Sequence, residues 1–550
     1  MTRLAALLLL CASIQDKDEK KDDRIREYVI DTLVRGLLDR PSAPIGALYG
    51  APDEGLGEAY SQAMDEDTLG EYLAAVCTPD AWGEENTIGF AGGKLVVTAP
   101  AESHKAIAAA LSALRARLAP DIAVDAVILE ITPAALNDVL GGGGAPSVLS
   151  DERTLKLHQL VKEAVEIRAV RRLRLNARNG QRLHEASIET TTYLADADVN
   201  TDTEPPSWRA MTSPLKTGVT FDIRPTIVEG GIFIGCSWQD ARLEKMEPFD
   251  AGGRTLQMPR VRRLSAQASL LVPNTGTAFA GAVTLPDKPG WMLATFVRPQ
   301  IDPKLPKVDA EPALIDLHAF SRIEEETLSN DEFAALLMRS VETDSWDEDQ
   351  GRFIEPLENL LLIRNSADIV RACRGWVADR ARSTFRPVAI EARLIKTAAI
   401  IQAEPLTARD IEKLLAKGTV LWQGVASGAQ RHPLLLEDVV RRPVVTDYVD
   451  KDPSIGTAQW GVTFAAKASY DPTGGAIHVE DLDVQWSTAT EPMPTAPHPG
   501  LKDAVIHTPK FASHIFKGNP TLTPGDWTVQ NIAAVGEESV VLLVRATVQK

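Results

Sequence analysis

A long internal repeat constrains this chain more than any other feature. Residues 67–82 read DTLGEYLAAVCTPDAW, and residues 331–346 read DEFAALLMRSVETDSW. The stretch aligns without a gap, because its first and last residues both lie 264 positions before their counterparts (331 − 67 and 346 − 82). A repeat of this length at low identity predicts a duplicated module rather than the short unit of a solenoid.

The correspondence continues in the same order along both halves. Matching segments are 94–118 with 359–383, 122–131 with 388–397, 259–279 with 509–529, and 291–299 with 540–548. The letters GVTF recur at Gly218–Phe221 and Gly461–Phe464, each time followed by a glycine-containing turn and a strand pattern. A run of such matches in one order predicts that 67–300 and 331–550 superpose as two related modules.

Length and composition agree with several domains and exclude some partners. A chain of 550 residues exceeds what one hydrophobic core supports, so about two to four domains are expected. The net charge of −18, without an offsetting basic stripe, argues against a nucleic-acid partner and gives no polybasic reason to bind an anionic membrane. Aromatic residues make up 5%, which disfavours a broad stacking platform for sugars or bases.

The first residues are typical of an export signal. Arg3 precedes the apolar run Leu4–Leu10, small residues follow, and the hydrophilic stretch DKDEKKDD comes next. This pattern predicts a signal peptide over 1–13, with the mature chain beginning near Ile14. A buried N-terminal helix is the alternative interpretation. Lipidation at Cys11 stays open as a second possibility, although Leu10 before it is larger than the residue that a lipoprotein signal prefers.

Hydrophobic periodicity changes from helical to β-type within each half. Leu69, Tyr72 and Val76 recur at helical spacing, and 101–118 shows a second helical face. Alternating patterns prevail after that, with a hairpin signal at Asn179-Gly180. The expected fold class is α+β: two tandem modules, each a small α/β N-domain followed by an antiparallel β part.

The order of these segments resembles that of bacterial secretins. Segment 67–118 is similar to the short N-terminal ring-building domains of that family, which end just before a strand like AVDAVILEI. LRLNARNGQRLHEASIETTTYL, LKTGVTFDIRPTIVEGGIFI and RRLSAQASLLVPNTGTAFAGAV resemble three segments of the secretin homology domain. The resemblance covers most of 67–299 and, more faintly, 331–548. It implies a duplicated and divergent relative of the type II and type III secretion secretins, which work by assembly.

The resemblance and the repeat together give the expected boundaries. These are a signal peptide at 1–13, an N-domain-like α/β part at 22–120, a secretin-like β part at 121–300, a linker at 301–320, a second N-domain-like part at 321–387, and a degenerate secretin-like β part at 388–550.

Two features bear on pore formation. The segment expected to hold the family's gate-associated motif reads TLPDKPGWMLATFVRPQ instead, and the inserted 240–258 stretch is charged, without a lipid-facing band. Strands that cross a bilayer need about 10 residues of alternating character, whereas GIFIGCSW is apolar but short. The expected function is therefore an exported, non-enzymatic structural or interaction protein of the cell envelope. A pore-forming outer-membrane secretin relative in protein secretion is the alternative.

The expected partners are proteins or further copies of the chain. A homo-oligomer in the periplasm or outer membrane is expected, with no nucleic acid, and membrane association stays open. Exposed edges of antiparallel strands invite pairing with another chain. The 67–118 and 331–383 parts are expected to lie side by side between subunits.

The sequence predicts no catalytic, cofactor-binding or metal-binding residue. It has no HExxH or GxSxG motif, and Gly141–Gly144 precedes no lysine of a phosphate cradle, so a hydrolase has no support. Of nine histidines, only His507 and His514 lie close in sequence, which makes them a weak metal candidate. Acidic clusters are expected to be solvated, with weak calcium binding as the alternative, at Asp65–Asp67, Glu84–Glu85 and Asp347–Asp349.

Three further groups of residues have a structural and a functional interpretation. The matched Trp82 and Trp346 are expected to anchor a core or an interface, with a paired ligand site as the alternative. The cysteines are expected to be small buried side chains, because they lack metal spacing: Cys77, Cys236 and Cys373. The basic pairs are expected to be solvated strand ends: Arg260, Arg262 and Arg263, and Arg441 and Arg442.

Overall fold

The structure is a computed structural model of the chain. It describes residues 24–34, 37–42, 45–48, 60–61, 64–76, 86–141, 148–163, 165–200, 207–251, 253–301, 313–320, 328–357, 359–398, 408–449, 452–501, 504–535 and 538–549. The predicted signal peptide, Cys11, Cys77, Trp82, Glu84–Glu85, most of the predicted linker and the rest of the glycine run after Gly141 lie outside these residues.

The first half of the chain contains a small α/β unit followed by long strands. The α/β unit, called N1 here, contains β1 (Ile25–Val29), α1 (Asp31–Val34), β2 (Leu37–Leu38), β3 (Tyr60–Ser61), α2 (Glu66–Val76), β4 (Thr87–Ala91), β5 (Lys94–Thr98) and α3 (Ala101–Leu118). The long-strand part contains β6 (Asp121–Ile131), α4 (Pro133–Leu140), β7 (Val148–Leu149), α5 (Asp151–Glu163), β8 (Ile167–Arg178), β9 (Leu183–Asn200), β10 (Ser207–Val228), β11 (Gly231–Asp250), β12 (Thr255–Val272), β13 (Thr277–Thr284) and β14 (Met292–Ile301).

The second half has the same general order. Its α/β unit, called N2 here, contains β15 (Ala313–Asp316), α6 (Asn330–Ser340), two 3₁₀ turns (Thr343–Ser345 and Glu348–Gln350), β16 (Phe353–Leu357), β17 (Leu360–Arg364) and α7 (Ala367–Thr384). Its long-strand part contains β18 (Pro387–Thr397), α8 (Ala408–Lys417), β19 (Thr419–Ala429), β20 (Leu434–Val449), β21 (Asp452–Asp471), β22 (Ala476–Ala489), β23 (Thr495–Pro497), β24 (Val505–His507), β25 (Phe511–Gly518), β26 (Thr521–Leu522), β27 (Trp527–Val535) and β28 (Glu538–Val548). The predicted α+β fold class is confirmed.

Local sequence signals set where several helices begin. Thr132 caps α4, because its side chain accepts a hydrogen bond from the Ala135 amide and Pro133 follows at the first helical position. At α6, Ser329 and Glu332 form a reciprocal capping box. These polar caps pair amide groups that a helix start leaves without a helical partner.

The long strands form two antiparallel sheets that share one core. Sheet A has the order β9-β10-β11-β12-β20-β21-β22-β25, and sheet B has the order β8-β6-β14-β13-β19-β18-β28-β27. A single hydrophobic cluster lies between them and includes Phe221 and Trp238 from the first half, and Trp422 and Phe464 from the second. Because apolar residues of both halves fill this core, the two halves of the sandwich are stabilised together.

Each sheet contains four neighbouring strands from the first half, followed by the four equivalent strands of the second half in the same order. In sheet A the join between halves is the antiparallel pair β12–β20, and in sheet B it is β13–β19. Among the described strands, β9 and β8 therefore end the sheets on one side, and β25 and β27 end them on the other. The halves meet head to tail, and each end of the sandwich belongs to a different half.

Strand irregularities recur at matching places in the two halves. Pairing shifts between Ile128 and Leu129 in β6, and between Leu394 and Ile395 in β18. It also shifts next to Phe279 in β13, and 250 positions later next to Val529 in β27 (529 − 279). Bulges re-aim side chains and increase twist, so shared bulges give the two halves similar local geometry.

The structure corrects one expectation about strand length. The charged 240–258 stretch is not a separate insertion, and GIFIGCSW is not a short strand. Strand β11 runs without interruption to Asp250 and pairs with β12 up to Thr255. Charged side chains in this extension pair with each other, as Arg262 does with Glu244, so charge did not end the strand.

The repeated GVTF glycines generate a stability prediction. Gly218 and Gly461 have φ of +127° and +132°, and an added Cβ at either would lie 2.1 Å from the carbonyl oxygen of Ser187 or Asp438. Gly461→Ala should therefore lower the stability by about 1–3 kcal/mol or more, through backbone strain and the close contact. Thermal denaturation followed by circular dichroism measures this. Gly235→Ala is the control, since an added Cβ there meets nothing within 4 Å. Equal melting temperatures for the two variants would contradict the conclusion that the backbone at Gly461 excludes a side chain.

Candidate assembly interface

Buried ion pairs cross the join between the two halves of sheet A. Arg262 Nη1 donates to Asp438 Oδ1 at 2.7 Å, and Arg263 Nη2 donates to Glu437 Oε2 at 2.8 Å. Ser265 Oγ donates to the same Glu437 oxygen at 2.8 Å. Both Arg263 and Asp438 are only 8% exposed. Removing one partner of such a pair leaves an uncompensated buried charge, so these contacts hold the two halves in one register.

The arginines therefore do not have the role expected from the sequence. Arg442 is 8% exposed in the middle of β20, and its Nη2 lies 2.9 Å from Glu247 Oε2 on β11. Arg260 contacts both Glu244 and Glu491. The interpretation as solvated strand ends is wrong for Arg262, Arg263 and Arg442, because each lies within a strand and pairs with an acidic residue of another strand.

The electrostatics of Asp438 show how much the join depends on Arg262. Burial raises the pKa of the Asp438 carboxyl above its usual value, and the Arg262 guanidinium opposes that rise. The largest effect on the Arg262 pKa is burial, which lowers it, yet Asp438 and Glu244 raise it above its usual value overall. Each charge in this pair is therefore stabilised by the other rather than by water.

The small α/β units also meet within one chain. Leu69 and Leu73 on α2 belong to the same hydrophobic cluster as Leu360 and Leu362 on β17. Burial raises the pKa of Glu355 on β16, and the nearby Glu71 carboxylate on α2 adds to that rise. Helices of N1 therefore lie against the sheet of N2. The side-by-side packing expected between subunits is already present inside one subunit.

The two ends of sheet A expose apolar side chains. On β9, Ile188 is 39% exposed, and on β25, Phe511 and Ile515 are 42% and 57% exposed. The sheet of N1 likewise exposes Ile25 and Val29, at 52% and 61%. Unpaired edge strands with exposed apolar side chains are surfaces suited to another strand.

The structure does not bring the two weak metal candidates together as a site. His507 is buried, stacks on Phe249 at 4.2 Å between ring centroids, and accepts a hydrogen bond from the Val445 amide at 3.0 Å. His514 stacks on Trp486 in sheet A. Within the described ranges, no group of three or more His, Cys, Asp or Glu side chains is placed to hold a metal ion.

The other singled-out residues have structural surroundings. Trp346 is half-buried beside the N2 core, and its Nε1 donates to the Val341 carbonyl at 3.0 Å. Cys236 and Cys373 are buried, and burial raises the pKa of their thiols to about 12 and about 11. Gly141 ends α4 in the left-handed conformation. Asp65 caps the start of α2 through the Thr68 amide, and hydrogen bonds there lower its pKa.

The acidic cluster after α6 has a local role too. Asp347 accepts from the Gln350 amide at the 3₁₀ turn Glu348–Gln350. Across the part of the chain that is described, no helix is both long enough and apolar enough to cross a membrane.

Sequence reasoning missed the join because it depends on which strands lie at the edges of each half. A signal was present in the letters: VRRLS in β12 has two adjacent basic residues, and LLEDVV in β20 has two adjacent acidic residues. The register makes them diagonal neighbours across the join, and opposite charges on neighbouring strands stabilise pairing. Without the pairing partner, the two charged pairs look like solvated residues.

Comparison with known proteins gives structures but no sequence family. No family model matches the chain, and no curated protein matches its sequence. The chain is similar to InvG, the secretin of the Salmonella SPI-1 type III secretion injectisome, at 10% identity, with 52% of this chain and 87% of that chain covered and a TM-score of 0.24. It is also similar to ETEC GspD in the AspS–GspD pilotin–secretin complex, at 13% identity, with 64% and 73% covered and a TM-score of 0.24.

A third match is PilQ, the type IV competence pilus secretin of V. cholerae, at 11% identity, with 44% and 77% covered and a TM-score of 0.22. All three matched proteins are secretins, the family that the order of the sequence segments resembles. With TM-scores of 0.22 to 0.24, the likeness fixes neither the assembly nor the location nor the activity of this chain.

The Arg262–Asp438 pair generates a pH prediction. In Arg262→Gln, Asp438 stays buried without its cation, so the loss of stability at neutral pH should be about 3–5 kcal/mol. The folded-state pKa of Asp438 then rises further, so stability falls as the pH rises through that pKa and is recovered in acid. Melting temperatures at pH 5 and pH 8 measure the difference.

Arg260→Gln is the matched control, because its partners Glu244 and Glu491 are more exposed, at 28% and 38%. It should cost about 1 kcal/mol or less at either pH. A loss in Arg262→Gln that is small and independent of pH would show that the pair does not hold the join.

His507 generates a second pH prediction. Burial, with Arg442 nearby, lowers the pKa of His507 to about 4. The unfolded chain takes up this proton near pH 6.5, so the folded state loses stability as the pH falls from about 6.5 to about 4. His507→Asn removes the titrating group, so the variant should lose less stability than the native protein between pH 7 and pH 4. Parallel melting curves against pH would contradict the burial of a neutral imidazole.

Proposed function

We propose that this chain is an exported, non-enzymatic structural protein of the cell envelope that works by joining its sheet ends to further copies of itself. The head-to-tail order of the two sheets supports this most directly. One join is made within the chain, by β12 with β20 and β13 with β19. Strands β25 and β27 are the second-half equivalents of β12 and β13, and β9 and β8 are the first-half equivalents of β20 and β19. These four strands end the sandwich.

The strand order supplies the two halves of a second join. Edge strands carry unpaired amide and carbonyl groups, and pairing with another chain satisfies them. A head-to-tail contact repeats from copy to copy and forms a ring when the rotation closes. Closure would remove all the free edges, which is the physical reason to expect a closed homo-oligomer.

The intrachain join also predicts the register of the second one. Residues of β25 correspond to residues of β12 that lie 250 positions earlier, since 509–529 matches 259–279. Residues of β9 correspond to residues of β20 that lie 251 positions later, because Gly218 faces Ile188 and the equivalent Gly461 faces Val439. Arg263 faces Val439 in the intrachain join. Ser513 of one copy should therefore face Ile188 of the next, with Ile515 facing Ala186.

The chemistry of the second join differs from that of the first. The charged Arg263 and Glu437 are replaced by Ser513 and Ala186 in this register. Exposed Phe511, Ile515 and Ile188 lie along these edges. Apolar burial is insensitive to screening, whereas exposed ion pairs weaken with salt. We therefore expect contacts between copies to persist at high salt.

The remaining parts of the proposal follow from the sequence. Export rests on the signal-peptide pattern at 1–13. A duplicated origin is supported by the shared strand order, the shared bulges and the paired glycines. The α/β units at 22–120 and 321–387 then make their own lateral contact, beside the one that joins the β parts at 121–300 and 388–550.

The pore-forming alternative is less well supported. The long hairpins of sheet A extend past the shared core, where a membrane-crossing strand would need an outward apolar band. In the described part of this extension, exposed positions include Arg209, Lys216, Glu244 and Lys245. Charges at such positions suit water or a protein partner better than lipid.

An edge substitution tests the proposal. Phe511→Lys with Ile515→Lys places two charges on the outward face of β25, where they would meet the next copy. Size-exclusion chromatography with light scattering on the mature protein should then give a monomer, whereas the native protein gives a larger species. Val420→Lys with Leu421→Lys is the matched control, since both residues are exposed, at 43% and 37%, on β19, which lies inside sheet B rather than at an end of either sheet. A native protein that stays monomeric and binds no envelope component would overturn the proposal.

A further inference from the structure

We propose that a pocket beside Trp527 binds a carboxylate carried on a short aliphatic group. The pocket is a cavity of about 560 Å³ between α4 and the outward face of sheet B. Small-molecule sites commonly have roughly 300–1,000 Å³. It is lined by residues of both halves, α4 and β14 of the first with β18, β19, β27 and β28 of the second, so one chain supplies the whole described lining.

A fixed pair of guanidinium groups forms the polar wall. Glu391 is 8% exposed, and one of its oxygens accepts from Arg393 Nε at 2.9 Å, from Arg393 Nη2 at 2.6 Å and from Gln423 Nε2 at 2.8 Å. Its other oxygen accepts from Arg545 Nη2. One carboxylate thus holds two arginines in place, which removes much of the entropy cost of using them for binding.

Trp527 holds the same two groups from the other side. The guanidinium carbons of Arg393 and Arg545 lie 4.7 Å and 4.8 Å from the centroid of its ring. The arginine side chains keep 24% and 21% of their surface exposed, and both line the cavity. A planar anion can accept from guanidinium donors in the cavity.

The charge in the pocket selects the class of anion. Two arginines and Glu391 give a net charge of +1, and no other acidic residue lines the described cavity wall. A carboxylate neutralises that charge. A doubly charged phosphate would leave an excess negative charge beside the buried Glu391, which is unfavourable at low dielectric.

The aliphatic part of the lining selects what the carboxylate is attached to. It consists of Leu136 and Leu140 of α4, together with Met292 of β14 and Val425 of β19 in sheet B. An aliphatic group would bury its surface against them. A short fatty acid and the C-terminal residue of a peptide ending in leucine both have this chemistry.

The first half of the chain offers a natural control. Arg298 on β14 faces Asp125 on β6, just as Arg545 on β28 faces Glu391 on β18. There Arg298 Nε donates to the Thr275 carbonyl at 3.0 Å. The position that matches Trp527 is Thr277 (527 − 277 = 250, the offset between β13 and β27). The clamp is therefore present in one half and absent from the other.

Tryptophan fluorescence of the full chain tests the pocket, with hexanoate, N-acetyl-Ala-Leu and N-acetyl-Ala-Leu amide as probes. Both carboxylates should change the emission, and the amide should not. Trp527→Phe assigns the signal among the ten tryptophans. Tighter binding of hexanoate indicates a fatty-acid source, and tighter binding of the dipeptide indicates a peptide end.

Variants then connect the binding to the arginine clamp. Arg545→Gln leaves Glu391 paired with Arg393 and Gln423, and it should weaken carboxylate binding by roughly ten-fold or more. Arg298→Gln should leave it unchanged. Melting temperatures confirm that both variants fold. Equal binding of the acid and the amide, native-like binding by folded Arg545→Gln, or no binding of either carboxylate would overturn the proposal.

Discussion

The antiparallel pairing of β12 with β20 is the contact on which the rest of the structure depends. It converts two four-strand groups into one sheet, and the pairing of β13 with β19 does the same in the second sheet. The hydrophobic core then runs through both halves without a boundary. Buried ion pairs at the join fix its register, because a slip by one residue would separate Arg262 from Asp438 and bury both charges alone.

That join explains which strands lie at the two ends of each sheet. A sheet built from two groups in the same order ends in strands from different groups, and these strands are the counterparts of the ones already joined. The N1 and N2 units follow the same direction, since helices of N1 lie on the sheet of N2. Sheet A, sheet B and the N1–N2 pair thus all run from the first half to the second in the same direction. A common direction favours growth by addition of identical copies.

Much of the fold was accessible from sequence, and the reasons for the exceptions are physical. Alternation and helical spacing report which face of an element is buried, so the α+β class and elements such as β6 and α3 were predictable. Strand ends were less so: β11 continues to Asp250 because its charged residues are paired across strands. Arg442 looked solvated because its partner, Glu247, lies on a strand far away in sequence.

The candidate interface was only partly predictable for the same reason. The sequence indicated exposed β edges, but periodicity contains no information on which strands remain at the edges after the halves join. The Trp527 pocket was not predicted at all, because Arg545 is far in sequence from Glu391 and Arg393, and only the pairing of β18 with β28 brings it to them.

Disulfide trapping tests the central claim most directly. A chain with Ser513→Cys and Ile188→Cys places the two thiols opposite each other only if β25 of one copy pairs with β9 of the next in the register of the intrachain join. Strand neighbours of this kind bring Cα atoms within the roughly 4.4–6.8 Å that a disulfide needs. The account predicts a ladder of covalent multimers on non-reducing gels, and none when Thr191→Cys replaces Ile188→Cys. Equal crosslinking in both proteins, or only monomer in both, would contradict it.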